Sequence, residues 1–280
     1  MPGPKCLDPF ASPRALIGSE LRHARERAGL SQRELGDMLH VSATFIGQLE
    51  AGSRRIQAGL ACRLDETLGT GGFFERNCKA PGKSKYPDHF AEAAEMEAVA
   101  TTIKAYDPAL IPGLLQTAPY ARAVCRAYQP TAPEEYVDQL VAARLERAVI
   151  LAHPTMPLLW AVLDEAALRR EVGSAAVMAE ALRHIAALAR RNRVIVQVLP
   201  FTAGAHASLE GSLKLMAFSD APPVAYRQGF GTGQLEDDPT IVARCELAYD
   251  LVAASALAPP DSLALIESVA EDYAHEEHQL

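Results

Sequence analysis

Cysteine is scarce in this 280-residue chain, and the five present, Cys6, Cys62, Cys78, Cys125 and Cys245, are never closer than sixteen positions. That spacing excludes a CxxC redox pair and a zinc knuckle, and the odd count argues against a disulfide framework. The thiols read as reduced packing residues. Long apolar runs are missing too, and the opening MPGPKCLDPFASPRAL has no hydrophobic stretch ahead of a cleavage site. Neither a membrane span nor a signal peptide is expected, so the chain reads as soluble and cytoplasmic. A Gly-rich phosphate loop, an HExxH pair and a GxSxG elbow are all absent, and no internal repeat occurs. No cofactor, no metal and no enzymatic activity are expected on these grounds.

Basic charge looks deficient as well, with a net charge of −8. The deficit is unevenly spread. Residues 1–85 hold 13 Lys+Arg against 9 Asp+Glu, a balance of +4, and the remainder holds 14 against 26, a balance of −12. A polyanion such as double-stranded DNA would be attracted to the first part and repelled by the second.

Within the basic part, Gln32–Gly52 reads QRELGDMLHVSATFIGQLEAG, with apolar residues at Leu35, Leu39, Val41, Ile46 and Leu49. The 3–4 spacing pauses at a turn and resumes, as two short crossing helices sharing one core require. Gly36 lies in the first, where a missing side chain lets the second helix approach. This is a helix-turn-helix pattern, whose second helix presents its N-terminal residues to base edges. Ser31 with Glu34 forms a capping box for one helix, and Ser42 caps the other. A preceding helix is predicted from Ser12-Pro13 to Ala28, with Arg22, Arg25 and Arg27 on its outer face. Leu60, Leu64 and Leu68 mark a fourth helix, and Phe73 to Asn77 a fifth.

From Ser42 onward the recognition helix is expected to expose Ala43, Thr44, Phe45 and Gln48. Gln suits bidentate pairing with adenine, and Ala or a Thr methyl can touch a thymine methyl. Phe45 either packs on thymine methyls and sugars or folds back onto the first helix. Arg54 and Arg55 in the following loop, with Gln32 and Arg33 at the start of the second helix, read as phosphate contacts.

The predicted organisation is a flexible arm over 1–13, a helix-turn-helix domain over 14–77, a linker over 78–88, a larger domain over 89–275 and a tail over 276–280. The larger domain opens with a helix from His89 to about Ala105. Strands are predicted at Leu158–Leu163, Val194–Leu199, Ser212–Phe218 and Val224–Phe230, with helices between and after them. The fold class is therefore mainly α, a five-helix head followed by an α+β domain with a small sheet. Asp164-Glu165 with His206 or His184, and Cys125 as a nucleophile, are the acid/base and nucleophile sets the sequence offers. Asp164 already suits a helix cap and Glu165 a first helical turn.

The stretch ELRHARERAGLSQRELGDMLHVSATFIGQLEAGSRR resembles the Xre (Cro/repressor-type) helix-turn-helix family. IPGLLQTAPYARAV at 111–124, ARLERAVIL at 143–151, LDEAALRREVG at 163–173, VQVLPFTAGAH at 196–206 and SALAPPDSLALI at 255–266 are similar to the second domain of antitoxin-like, WhiJ-type actinobacterial regulators. The resemblance implies a DNA-binding transcriptional regulator working with a small protein encoded by a neighbouring gene. His40 stands at the turn where that family usually has Gly, a position favouring positive φ. A homodimer is expected, because one short recognition helix reads few base pairs. Two other readings stay open: a protein that neutralises its partner mainly through the acidic domain, and a small-molecule-responsive regulator with a pocket around Trp160 and Tyr226.

Overall fold

A computed structural model describes residue 9 and residues 13–78, 88–229 and 231–277. The chain divides into two units. Most of the arm, including Ser12, the predicted cap of the first helix, most of the 78–88 linker and the end of the tail lie outside the described residues.

Among the described residues the first unit holds five helices, α1 (Pro13–Arg27), α2 (Gln32–Leu39), α3 (Ala43–Glu50), α4 (Ala58–Leu68) and α5 (Phe73–Asn77). Two short later segments, Phe218–Pro223 and Asp237–Pro239, belong to the same unit. The helices form because apolar positions recur at helical spacing, and α2 and α3 are also capped by side chains at their N-termini. Ser31 Oγ accepts the Glu34 N–H while the Glu34 carboxylate accepts the Ser31 N–H, and Ser42 Oγ accepts the Phe45 N–H. Leu21, Leu35, Leu39, Ile46, Leu49, Leu64 and Phe74 close the core.

The turn between α2 and α3 depends on two backbone positions. His40 is left-handed at φ 56°, and the Val41 N–H reaches back to the Gly36 carbonyl at 2.9 Å, closing a Schellman-type turn. A Cβ on Gly36 would lie 2.6 Å from the Val41 carbonyl oxygen, so the close approach expected there is real. Asp65, on α4, anchors α5. Its carboxylate accepts the N–H groups of Phe74 at 3.0 Å and Glu75 at 2.8 Å. Burial alone would raise the Asp65 pKa, but the Thr70 hydroxyl and these amides outweigh it and hold it below the usual carboxylate value.

The second unit is built on a six-stranded sheet in the order β3-β2-β1-β4-β5-β6. Its strands are β1 (Thr102–Asp107), β2 (Leu158–Asp164), β3 (Val194–Leu199), β4 (Ser212–Ala217), β5 (Val224–Gly229) and β6 (Thr232–Glu236). The first three are parallel, and the last three run antiparallel to their neighbours. Helices α6 (Asp88–Val99), α7 (Ala118–Tyr128), α8 (Glu134–Ala148), α9 (Glu165–Arg169), α10 (Ala175–Arg190), α11 (Pro239–Ser255) and α12 (Pro259–Glu277) complete it. One sheet face, with Tyr106, Val162, Leu213, Leu215 and Ala225, packs on Val242, Cys245, Tyr249 and Val252 of α11. The outer edge of β3 is covered: the Leu257 N–H bonds to the Val198 carbonyl and the Ser262 hydroxyl accepts the Val198 N–H, both at 2.9 Å.

The expected mainly-α class with an α+β second domain holds, and the sheet has two more strands than predicted. The predicted helix to Ala105 ends at Val99, and Thr102–Asp107 is a central strand whose side chains alternate between the faces. Residues 232–236 form the last strand, where Gly233 leaves room for the Tyr226 ring. The final helix continues to Glu277, beyond the predicted start of the tail.

The left-handed turn yields a stability prediction. His40→Gly removes a conformational penalty of about 1–2 kcal/mol and adds unfolded-state entropy of about 0.5–1 kcal/mol. A small net stabilisation is expected, read as a raised Tm; a lowered Tm would mean that the imidazole contributes contacts of its own.

Candidate nucleic-acid interface

The recognition helix α3 is positioned by a buried ionic network. Arg25 of α1 and Glu50 at the end of α3 are only 7% and 3% exposed. Arg25 Nε donates to Glu50 Oε1 at 2.5 Å and Nη2 to Oε2 at 3.1 Å, while Nη1 reaches the Leu30 carbonyl at 2.7 Å. Gln32 at the start of α2 donates its amide to Glu50 Oε2 at 2.8 Å. Three helices are thus tied to one carboxylate. The hydrogen bond and charge of Glu50 raise the Arg25 pKa above its ordinary value against the cost of burial. Arg25 was expected on the outer face of its helix; it is buried because its fork matches the Glu50 carboxylate bidentately.

The expected contact residues fall into three groups. Arg33 and Thr44 are exposed, and Ser42 and Ala43 at the start of α3 and Gln48 near its end are half-buried. Among the described residues no hydrogen bond engages the Gln48 side-chain amide, and its backbone carbonyl accepts from Ser53. Gln32 and Arg55 are half-buried and engaged, Gln32 with Glu50 and Arg55 through Nε with the Cys78 carbonyl at 3.0 Å.

Phe45 and Arg54 form the third group; Arg54 was expected to face a duplex, and Phe45 either to be exposed there or to fold back onto the first helix. They are buried at 7% and 6% exposure. The Arg54 guanidinium lies 4.9 Å from the Phe45 ring centroid and 5.0 Å from that of Phe218, and Nη1 donates to Asp220 at 3.2 Å. Two aromatic rings near the guanidinium and a carboxylate on Nη1 compensate its burial, although Nε has no hydrogen-bond partner among the described residues. The Ser42 N–H also bonds to the Asp220 carbonyl at 3.3 Å, and Asp237 Oδ2 accepts the Gly59 N–H at 3.0 Å in the first turn of α4. Glu50, Asp220 and Asp237 were not singled out from sequence. Glu50 sits at a spacing that would ordinarily be solvated, and the two aspartates lie far from this element in the chain.

In the second unit, the sets considered for chemistry are partly assembled. Asp164 caps α9 through the Ala166 N–H at 2.9 Å and accepts the Tyr106 hydroxyl at 3.2 Å; His206 Nε2 stands 3.1 Å from that hydroxyl. His184 is on α10, and Cys125 is buried among Ala121, Val137 and Val141 as a packing thiol. Burial lowers the His184 pKa. Trp160 and Tyr226 do not share a pocket. Trp160 is in register with Lys104, and Tyr226 with Lys214, which faces Ala105, so the two rings are on opposite faces of the sheet. Trp160 instead donates to Gln197 at 2.8 Å.

On the Tyr226 face, Glu97 is fully buried between Arg147, at 2.7 Å, and Lys214. Asp107, at the carboxyl end of β1, feels this cluster. Burial pushes its pKa up to about 7, opposed by Lys214, a Ser212 hydrogen bond and Arg147, and reinforced by Glu97.

Comparison with known families adds two matches. Residues 16–72 match a family model described as "Helix-turn-helix domain", and residues 90–268 match one described as "Domain of unknown function (DUF5753)". No curated protein and no solved structure matches the chain.

Two predictions follow from the buried charges. Glu50→Ala leaves Arg25 buried without its partner and should destabilise the first unit by about 3–5 kcal/mol in urea unfolding, whereas Arg25→Met with Glu50→Leu should cost far less. Equal losses in the two variants would show that the pair acts through packing alone. For Asp107 the folded pKa of about 7 stands above the ordinary 3.8, so its contribution to stability is full below about pH 3.8 and is lost as pH rises through 7. Asp107→Asn should flatten stability between those limits; an unchanged slope would locate the pH dependence elsewhere.

Proposed function

The chain belongs to the DUF5753 family and carries a helix-turn-helix domain that marks it as a DNA-binding regulator; from that premise we propose a sequence-specific transcriptional regulator of the Xre type, acting in the cytoplasm on double-stranded DNA. The observation that carries this reading is the α3 helix, set by the Arg25–Glu50–Gln32 network with Thr44 exposed and the Gln48 amide unengaged. A base-reading side chain needs a fixed helix beneath it and no competing partner, and α3 offers both. Arg33, exposed in the first turn of α2, supplies the phosphate contact of the helix that crosses the backbone.

The second unit, in this reading, serves dimerisation and docks a small partner protein encoded beside it, in an antitoxin-like arrangement, and it has no catalytic role. The −12 balance of residues 86–280 supports a basic partner rather than a second nucleic-acid surface. The small-molecule-sensing alternative is disfavoured, since its two marker rings stand on opposite sheet faces.

Selection of binding sites from random duplexes tests the proposal. Gln48→Ala should relax base preference at one position of a pseudo-palindromic site, at a cost of about 1–3 kcal/mol for the preferred base. Arg33→Ala should weaken binding to all sequences alike and reduce the salt slope by about 1. Unchanged selection by the Gln48 variant would remove it from base readout.

A further inference from the structure

A DNA phosphate bound at a helix-turn-helix face seeks a cation and the free N–H groups of a helix N-terminus. In the first unit those groups already hold anionic partners, brought by Phe218–Pro223 and Asp237–Pro239. Asp220 takes Arg54, whose side chain is only 4% exposed, and its backbone carbonyl takes the N–H of Ser42, the cap of the recognition helix. Asp237 supplies a carboxylate to the first turn of α4, where the N-cap residue Gln57 provides no side-chain cap. Gly59 is what lets that carboxylate come so near, since a Cβ there would lie 2.9 Å from Asp237 Oδ1. Phe218 adds to the cover, its ring centroid 5.0 Å from the Arg54 guanidinium beside that of Phe45 at 4.9 Å.

We propose that these two acidic segments form an intramolecular strap that imitates DNA phosphates on the helix-turn-helix face and must be displaced when the duplex binds. The strap takes Arg54, the leading edge of α3 and the N-terminus of α4 together, three groups that a duplex backbone would otherwise neutralise. Two carboxylates and a backbone carbonyl cannot share these donors with phosphates, so strap and DNA compete. The strap rests on the DNA-binding reading given above, and its effect is on affinity and not on which bases are read.

The test compares full-length protein with its Asp220→Ala/Asp237→Ala variant for binding to a mixed-sequence DNA duplex at fixed low salt. A Glu180→Ala/Glu210→Ala variant, which removes the same charge from exposed positions in the second unit, controls for net charge. The strap variant should bind roughly tenfold more tightly than wild type, within the usual range of coupling between sites, and the control should gain clearly less. Equal gains, or none, would overturn the strap while leaving DNA binding intact. Absence of binding by wild type and strap variant alike would overturn the DNA-binding reading and the strap with it. Should the alanine variant fail to fold, Asp220→Asn/Asp237→Asn keeps the shape and removes the charge. In wild type, amide hydrogen exchange of 218–223 should speed up when the duplex is added; slower or unchanged exchange there would count against displacement.

Discussion

The Arg25–Glu50 ion pair is the constraint on which the nucleic-acid face depends. A carboxylate that is 3% exposed has lost its hydration, and only a bidentate guanidinium with a further amide from Gln32 can replace it. The three donors come from the end of one helix and the start of the next, and the acceptor from the end of the third. Their geometry fixes how the recognition helix crosses its neighbours, with less tolerance for sliding than apolar contacts would impose. Leu35, Ile46 and Leu49 supply the burial energy, while the ionic network supplies the angle.

A second network, around Arg54, shows how a surface cation can become part of the interior. Its guanidinium is flat and weakly hydrated, so two aromatic rings and one carboxylate replace much of its water, while Nε is left without a hydrogen-bond partner among the described residues. The same features suit Arg for phosphate recognition, so the ligand a basic loop expects and the partner it finds within its own chain are chemically alike. In the second unit the charged cluster about Glu97 follows a similar logic, with both cations on one buried carboxylate, while the nearby Asp107 has its pKa raised chiefly by burial.

Much of the helix-turn-helix was legible in the sequence because its determinants are local. Ser31 with Glu34, Ser42, Gly36 and the apolar spacing act within a few residues of each other, whereas the left-handed conformation of His40 was implied only by the family resemblance, which places Gly there. The central strand β1 was not legible. Its residues follow an Ala- and Glu-rich helix without an intervening Gly or Pro, and its strand character comes from pairing with β2 and β4 on either side. β6 was hidden for a related reason, since Gly233 weakens the strand pattern while accommodating a ring from the neighbouring strand.

The sequence by itself determined the division into a basic head and an acidic body, the five helices of the head, and the helix-turn-helix pair within it, because charge balance, capping and periodicity are properties of contiguous residues. Only the tertiary structure decided which of the charged residues stay free to act. Arg25 and Arg54 read as surface charges, yet each is buried by a partner distant in the chain, Glu50 at 25 positions and Asp220 at 166. A residue's exposure depends on what folds over it, and that information lies outside its local sequence.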